Sequence, residues 1–163
     1  LRTTRKPSMP KRAPDFVYVS YIAADIDKVW NGLIDPDMTR LYWGHTNESD
    51  WRVGSPWRHV NSDGSSSIDI LGKVLEVEAP RRLVISWASP NDVTDEAKVS
   101  TVTFELTPLG PDTKLRMVHS GLELNSEMQG SVTDGWPAVV CNLKTLLETG
   151  KTLSDDQWIS GEQ

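Results

Sequence analysis

The apolar residues near the C-terminal end of the chain follow a helical period. They recur at intervals of three and four residues, which is typical of one face of a helix that packs on a larger surface. The positions are Trp136, Val139, Val140, Leu143, Leu146 and Leu147. Gly150 follows the last apolar pair, and glycine suits the left-handed residue that ends a helix. We therefore predict one long C-terminal helix from the stretch around Trp136, with Pro137 either in its first turn or at a kink within it.

A strand followed by two short helices is predicted near the N-terminal end. Residues 16–22 are β-branched and aromatic with no turn former among them, which favours a strand. Asp25 is a plausible N-cap for a helix of about ten residues whose apolar face includes Val29 and Trp30. Pro36 can open a second short helix that ends near Leu41.

Short strands separated by turns fill the region between the predicted helices. Asp63-Gly64 indicates a hairpin, and Gly72 marks a bulge or bend within the strand predicted over residues 68–77. Residues 99–106 alternate between apolar and polar, and residues 114–120 place Leu115, Met117 and His119 on one face. Consecutive strands joined by short turns indicate an antiparallel meander. The expected class is α+β: a curved antiparallel sheet of about seven strands wrapped around the long C-terminal helix, with two short helices between strands 1 and 2.

Charge is distributed unevenly along the 163 residues. The first 14 residues carry five of the 17 basic residues and no acid, which leaves 12 basic against 23 acidic residues in the remainder, a net charge of −11. A body this acidic repels phosphate backbones and argues against a nucleic-acid partner. We expect a basic, disordered tail over residues 1–14, one domain over residues 15–151 and a polar tail over residues 152–163. The sequence has no membrane span or signal-peptide core, so no membrane partner is expected and the predicted location is cytoplasmic.

No strong catalytic or metal-binding motif is present. The sequence lacks a nucleophile elbow, a phosphate-binding glycine-rich loop and a His-Glu-X-X-His pair. His45, His59 and His119 are far apart without ligand spacing, and the single cysteine, Cys141, excludes a cysteine-based metal site. We therefore assign no catalytic residue, no metal ligand and no cofactor, and an enzyme is not the default interpretation.

Tryptophan is the unusual feature of the composition, with seven Trp residues against two Phe. Trp30 and Trp51 are interpreted as ordinary core residues. Other tryptophans lie at the ends of elements or on faces that would look into the concavity of the sheet. With one methionine and one histidine they are the candidate lining of a small-molecule pocket: Trp43, Trp57, Trp87, Met117, His119 and Trp136. Residue types alone leave a solid core and a pocket equally open.

Four ordered stretches carry a resemblance to a known family. They are residues 21–36, with their Val-Trp pair; residues 49–57, SerAspTrpArgValGlySerProTrp; residues 72–87; and a set formed by residues 103–108, 119–122 and 135–150. Over about residues 15–151 the chain resembles the START-like superfamily, also called Bet v 1-like, helix-grip or SRPBCC. Within it the chain is similar to the branch of homologues of the activator of the heat-shock-protein ATPase (Aha1-C-like). The resemblance implies a seven-stranded sheet that grips the C-terminal helix with a cavity between them, and it supplies no shared catalytic residue.

Three functions follow as hypotheses. The first is a binding protein that holds a small apolar or aromatic molecule between sheet and helix. The second is a cyclase- or hydrolase-type enzyme that uses the same pocket, with His119 as a proton carrier. The third is a stress-response module that binds a chaperone protein through its acidic body. A monomer and a homodimer are both compatible with the sequence.

Overall fold

Seven strands and three α-helices account for most of residues 11–154, the part of the chain that the computed structural model describes. The elements in chain order are β1 (Phe16–Ile22), α1 (Ile26–Ile34), α2 (Pro36–Trp43), β2 (His45–Glu48), β3 (Pro56–Asn61), β4 (Ile68–Glu78), β5 (Arg82–Trp87), β6 (Ser100–Leu109), β7 (Asp112–Ser120) and α3 (Glu127–Thr149). Two single-turn 3₁₀ helices, Pro90–Asp92 and Glu96–Lys98, lie in the connection between β5 and β6.

The strands form one antiparallel sheet in the order β1-β7-β6-β5-β4-β3-β2. Strands β2 to β7 follow one another as a meander, and β1 pairs with β7 at the far edge. The sheet curls into a half-barrel, because strands of this number twist strongly. The predicted α+β class, the seven antiparallel strands, the two short helices between β1 and β2 and the long C-terminal helix are confirmed.

Local sequence signals explain the ends of the two short helices. Asp25 caps α1, where its carboxylate accepts a hydrogen bond from the Lys28 backbone N–H at 2.9 Å. Asp35 caps α2 in the same way, and Pro36 occupies the first helical position, which needs no N–H donor. Gly44 ends α2 at φ 72°, a left-handed conformation that glycine adopts without strain.

Helix α3 begins at Glu127, well before the predicted stretch around Trp136. Ser126 is the N-cap, and its hydroxyl accepts a hydrogen bond from the Gln129 N–H at 3.1 Å. Pro137 therefore lies inside the helix rather than in its first turn. The helix ends where predicted, at Gly150 with φ 77°.

The core lies between the concave face of the sheet and α3. Leu115, Met117 and His119 of β7 are all fully buried, as their alternation predicted. Helix α1 packs closely on α3 at Gly32, where a Cβ atom would come within 2.9 Å of Leu143 Cδ1. The residues on this face therefore leave little free volume at the C-terminal half of α3.

The chain joins the domain before residue 15, the predicted boundary. The Arg12 guanidinium donates hydrogen bonds to the backbone carbonyls of Ala97 and Gly121, each at 2.8 Å, and of Glu96 at 3.1 Å. Ala13 is buried, and its N–H donates to the Leu122 carbonyl at 2.7 Å. The rest of the predicted basic tail, residues 1–10, and most of the predicted polar tail, residues 155–163, lie outside the described residues.

Candidate functional site

A cleft of about 820 Å³ separates the N-terminal half of α3 from the open end of the sheet. Its apolar lining comes from α2, β4, β5, α3 and the segment between β7 and α3. These residues are Trp43, Ile70, Trp87, Leu122, Met128, Val132, Trp136 and Val139. The cleft borders the N-terminal half of α3. The C-terminal half, which contains Leu143, is packed against α1.

Three of the predicted pocket tryptophans, Trp43, Trp87 and Trp136, meet at the floor of this cleft. The ring centroids of Trp43 and Trp136 are 5.2 Å apart, and those of Trp87 and Trp136 are 5.5 Å apart. Trp43 and Trp87 stack at 6.4 Å with an interplanar angle of 20°. Their exposed fractions are only 8%, 5% and 3% for Trp43, Trp87 and Trp136. The rings therefore form a continuous aromatic floor rather than an open cage.

The other three predicted pocket residues, Trp57, Met117 and His119, are fully buried and do not line the cleft. Trp57 lies under β4 and β5, where its indole N–H donates to the Ser86 carbonyl at 2.8 Å. Gly72 makes this crossing possible, since a Cβ atom there would lie 2.4 Å from Trp57 Nε1. Two of the three contact the floor: the ring centroids of Trp57 and Trp87 are 5.5 Å apart, and those of His119 and Trp136 are 6.1 Å apart.

A chain of hydrogen bonds through His119 orients the Trp136 ring and ends at the backbone carbonyl of Trp87. The Trp136 indole N–H, which can only donate, bonds to His119 Nδ1 at 3.0 Å. His119 therefore carries its proton on Nε2 and donates it to Ser100 Oγ at 2.8 Å. The Ser100 hydroxyl donates in turn to the Trp87 carbonyl at 3.3 Å. Burial lowers the pKa of His119 to about 4, so the ring is neutral at neutral pH.

This arrangement bears on the hypothesis that His119 carries protons in a reaction. Both ring nitrogens are engaged with protein groups, and the side chain has no exposed surface. A general acid or base must reach a reacting atom with one of its nitrogens. The geometry therefore favours a role in which His119 orients Trp136.

Two further histidines, which the sequence left without partners, meet at the cleft wall. The rings of His45 and His59 stack with centroids 3.8 Å apart and an interplanar angle of 5°. His45 Nδ1 lies 3.1 Å from the Trp43 carbonyl, and its Nε2 lies 2.7 Å from Asp69 Oδ2. Among residues 11–154, no group of three or more His, Cys, Asp or Glu side chains is placed to hold a metal ion.

His59 is the more deeply placed of the two stacked rings. It is 4% exposed, and its Nδ1 lies 2.5 Å from Asn47 Oδ1 on the neighbouring strand β2. Burial holds the pKa of His59 well below its usual range, and the charge of His45 lowers it further. The sequence did indicate that His59 faces inward, because it follows Trp57 by two residues and so lies on the same face of the strand.

The polar rim of the cleft is predominantly acidic. Four carboxylates line it, those of Asp69, Asp92, Glu123 and Glu127. Lys98 is the one Lys or Arg among the described lining residues, and its ammonium lies 3.8 Å from Asp92. The rim thus presents a negative potential to a molecule that approaches the aromatic floor.

None of the helices within residues 11–154 is long and apolar enough to cross a membrane.

Solved structures share this architecture. Protein MLL2253 from Mesorhizobium loti has 27% sequence identity and a TM-score of 0.69, over 82% of this chain and 96% of that chain. PFC0360w, an HSP90 activator from Plasmodium falciparum, has 24% identity and a TM-score of 0.66, over 82% and 95%. The Aha1 dimer from Colwellia psychrerythraea has 20% identity and a TM-score of 0.67, over 85% and 99%. The last two likenesses, at this identity, concern the fold alone.

No curated protein has a significantly similar sequence. The sequence model of one family does match, over residues 23–148, which is more than half of the chain and includes α1, the whole meander and nearly all of α3. This agrees with the branch that the four sequence stretches indicated. The chain belongs to the family of Activator of Hsp90 ATPase homolog 1-like proteins.

Proposed function

We propose that this protein binds a small apolar or aromatic molecule in the cleft between α3 and the sheet. The observation that carries the proposal is the convergence of Trp43, Trp87 and Trp136 on the floor of one cleft. Small-molecule sites are typically concave, mostly apolar and of about 300–1,000 Å³, with a few placed polar groups. The cleft, at about 820 Å³ with histidines and serines among its lining, has that composition.

The floor is held in place before any ligand arrives. The Trp136 indole N–H donates to His119 of β7 at 3.0 Å, and the Trp87 indole N–H donates to Met128 Sδ of α3 at 3.3 Å. A site whose side chains are already fixed loses less conformational entropy on binding than a flexible one. The fixed positions of the tryptophan side chains support a role in binding a rigid aromatic molecule over a role in core packing alone.

Isothermal titration calorimetry and thermal-shift measurements with a panel of fatty acids, flavonoids and polyketides test the proposal. We expect saturable binding of at least one aromatic class. A Ser131→Phe variant adds a ring to the cleft lining from α3 and should weaken that binding at least tenfold. Asp134→Phe is the matched control, since residue 134 is exposed on the same helix and does not line the cleft.

Two results would contradict ligand binding in this cleft. One is the absence of a saturable response to every class in the panel. The other is an equal loss of affinity in Ser131→Phe and Asp134→Phe, which would place the bound molecule elsewhere.

Family membership favours a second candidate, an interaction with a chaperone ATPase. The net charge of −6 would suit a basic partner surface. Co-purification with an Hsp90-type chaperone and a measured rise in its ATPase rate would support this function. Ser131→Phe separates the two candidates, because a ring added to the cleft lining should weaken ligand binding and leave an interaction through the outer surface unchanged.

A further inference from the structure

His59, a residue of the cleft wall, has one ring nitrogen that forms no hydrogen bond within the part of the chain that the structure describes. The ring lines the cleft and is 4% exposed, and its Nδ1 is occupied by Asn47 Oδ1 at 2.5 Å. The opposite nitrogen, Nε2, has no hydrogen-bonding partner among residues 11–154. Buried polar groups in proteins are nearly always paired, so an unpaired ring nitrogen on a residue that lines a cleft is a candidate recognition element.

The hydrogen bond at Nδ1 decides what Nε2 offers. A carbonyl oxygen such as Asn47 Oδ1 only accepts, so Nδ1 must keep the ring proton. In a neutral imidazole the other nitrogen then carries a lone pair. Nε2 of His59 is therefore an acceptor, and a molecule reaching it must donate a hydrogen bond.

Burial and the neighbouring ring keep His59 in this neutral form. Both nitrogens of His45 face acceptors, the Trp43 carbonyl at 3.1 Å and the Asp69 carboxylate at 2.7 Å. The His45 ring stacks on His59 at 3.8 Å. Burial, and next the neighbouring His45, lower the pKa of His59, which preserves the lone pair at its Nε2.

The charge of the cleft rim is a second property that selects among ligands. Asp92, Glu123 and Glu127 line the entrance, and Asp69 is paired with His45. Lys98 offsets one of these charges only, through its contact with Asp92. Carboxylates and other anions are therefore depleted at the entrance, and no arginine or free lysine among the described lining residues would pair with one inside.

We propose that the cleft selects an aromatic molecule that carries a hydroxyl group and no negative charge, a neutral phenol in the simplest case, with the hydroxyl donating to His59 Nε2. The aromatic ring lies against the indole floor of Trp43, Trp87 and Trp136. This inference rests on the proposed ligand-binding function and narrows its ligand to one chemical class.

Four probes of one shape test the inference by calorimetry at pH 7: 2-naphthol, 2-methoxynaphthalene, naphthalene and 2-naphthoate. 2-Naphthol is expected to bind about tenfold more tightly than 2-methoxynaphthalene, the difference that one buried hydrogen bond provides. 2-Naphthoate is expected to bind more weakly than naphthalene, and lowering the salt concentration should weaken it further.

Two variants assign the difference to His59. His59→Phe keeps an aromatic ring and removes the acceptor, so the preference for 2-naphthol over 2-methoxynaphthalene should disappear while naphthalene binding changes little. His59→Gln retains an acceptor and should keep part of the preference. Circular dichroism checks the fold of each variant, and the probe series on the unaltered protein decides the matter if neither variant folds.

The outcomes separate this inference from the function on which it rests. Equal affinity for 2-naphthol and 2-methoxynaphthalene, or 2-naphthoate as the tightest probe, overturns the inference while naphthalene binding still supports the cleft as an apolar site. Retention of the full preference in His59→Phe also overturns it, because the donor would then bond elsewhere. If none of the four probes binds and the wider panel gives no response, the proposed function itself falls.

Discussion

The burial of His119 behind the cleft predicts how the stability of the protein changes with pH. His119 has no exposed surface, and burial lowers its pKa from 6.5 to about 4. In the unfolded chain the same residue takes up a proton as the pH falls below about 6.5. The unfolded state then binds more protons than the folded state, so the free energy of unfolding decreases as the pH falls from 6.5 towards 4 and is affected no further below that range.

The size of this effect follows from the two pKa values. A difference between 6.5 and about 4 corresponds to about 3 kcal/mol in total, at 1.36 kcal/mol for each pH unit. Between pH 7 and pH 5 the His119 contribution alone is about 2 kcal/mol. His59, whose pKa is lowered by burial, acts in the same direction.

Urea denaturation of the unaltered protein and of His119→Asn, each at pH 7 and pH 5, measures this contribution. Asparagine still offers an oxygen to the Trp136 N–H but does not titrate. At pH 7 the variant should be less stable by roughly 2 kcal/mol, since it loses ring volume and the contact to Ser100. Its further loss between pH 7 and pH 5 should be smaller than that of the unaltered protein by about 2 kcal/mol.

His59 is present in both proteins, so its titration cancels in this comparison. An equal loss of stability on acidification in the two proteins would refute the reasoning, because the acid sensitivity would then arise from groups other than His119. A difference in the m-value between pH 7 and pH 5 would instead indicate that the denatured state changes with pH. The denaturation would then be repeated in guanidinium chloride.

Three further predictions concern stability. Gly72→Ala should destabilise the protein by about 3 kcal/mol or more, because its Cβ would lie 1.9 Å from the Ser86 carbonyl oxygen. Gly130→Ala in α3, where nothing lies within 4 Å of the new Cβ, should instead stabilise the protein by up to about 1 kcal/mol. Equal melting temperatures for Gly72→Ala and Gly130→Ala would contradict the close approach of the Trp57 side chain to β4 at Gly72. Arg12→Ala should cost about 1 kcal/mol, since three carbonyls lose a charged donor, and Arg12→Lys should recover only part of it. Unchanged thermal stability in Arg12→Ala would show that the contacts of residue 12 contribute nothing in solution.

The sheet could be predicted because its signals are local. Alternation along β6 and β7 identified the buried face that includes Phe104, Leu115 and Met117, and all three are buried. Asp63-Gly64 marked the hairpin between β3 and β4, and Pro36 marked the start of α2. Such signals depend on the backbone geometry of a few adjacent residues and not on the tertiary fold.

The N-terminal half of α3 was missed for a physical reason. Residues 127–135 are mostly polar and include two glycines, which weakens helix propensity. The helix forms there because Met128 and Val132 continue the spacing of Trp136 towards the sheet, and because Ser126 caps it. Ser126 followed three residues later by Gln129 is a helix-start pattern that the sequence did contain.

The cleft was predictable in its aromatic part and not in its polar part. Period-2 alternation tells which face of a strand a residue occupies, but not its depth, so Trp57 and Met117 could not be separated from Trp87. The pairing of His45 with Asp69 depends on the register of three strands across 24 residues of sequence. That register includes an irregularity after His59, which no local pattern revealed.

The hydrogen bonds that close the fold also shape the cleft, and this decides which variants are informative. Trp136 is at once a core residue, 3% exposed, and part of the cleft floor. Trp136→Ala would leave His119 Nδ1 without its donor and a large void beside Phe104, so a loss of binding in that variant could come from unfolding alone. Ser131 lies on the same helix, is exposed and lines the cleft, so a substitution there changes the space for a ligand while leaving this network intact. Evidence for or against a ligand site must therefore come from substitutions at the rim, such as Ser131→Phe, and from probes compared on the unaltered protein, where function and folding are separable.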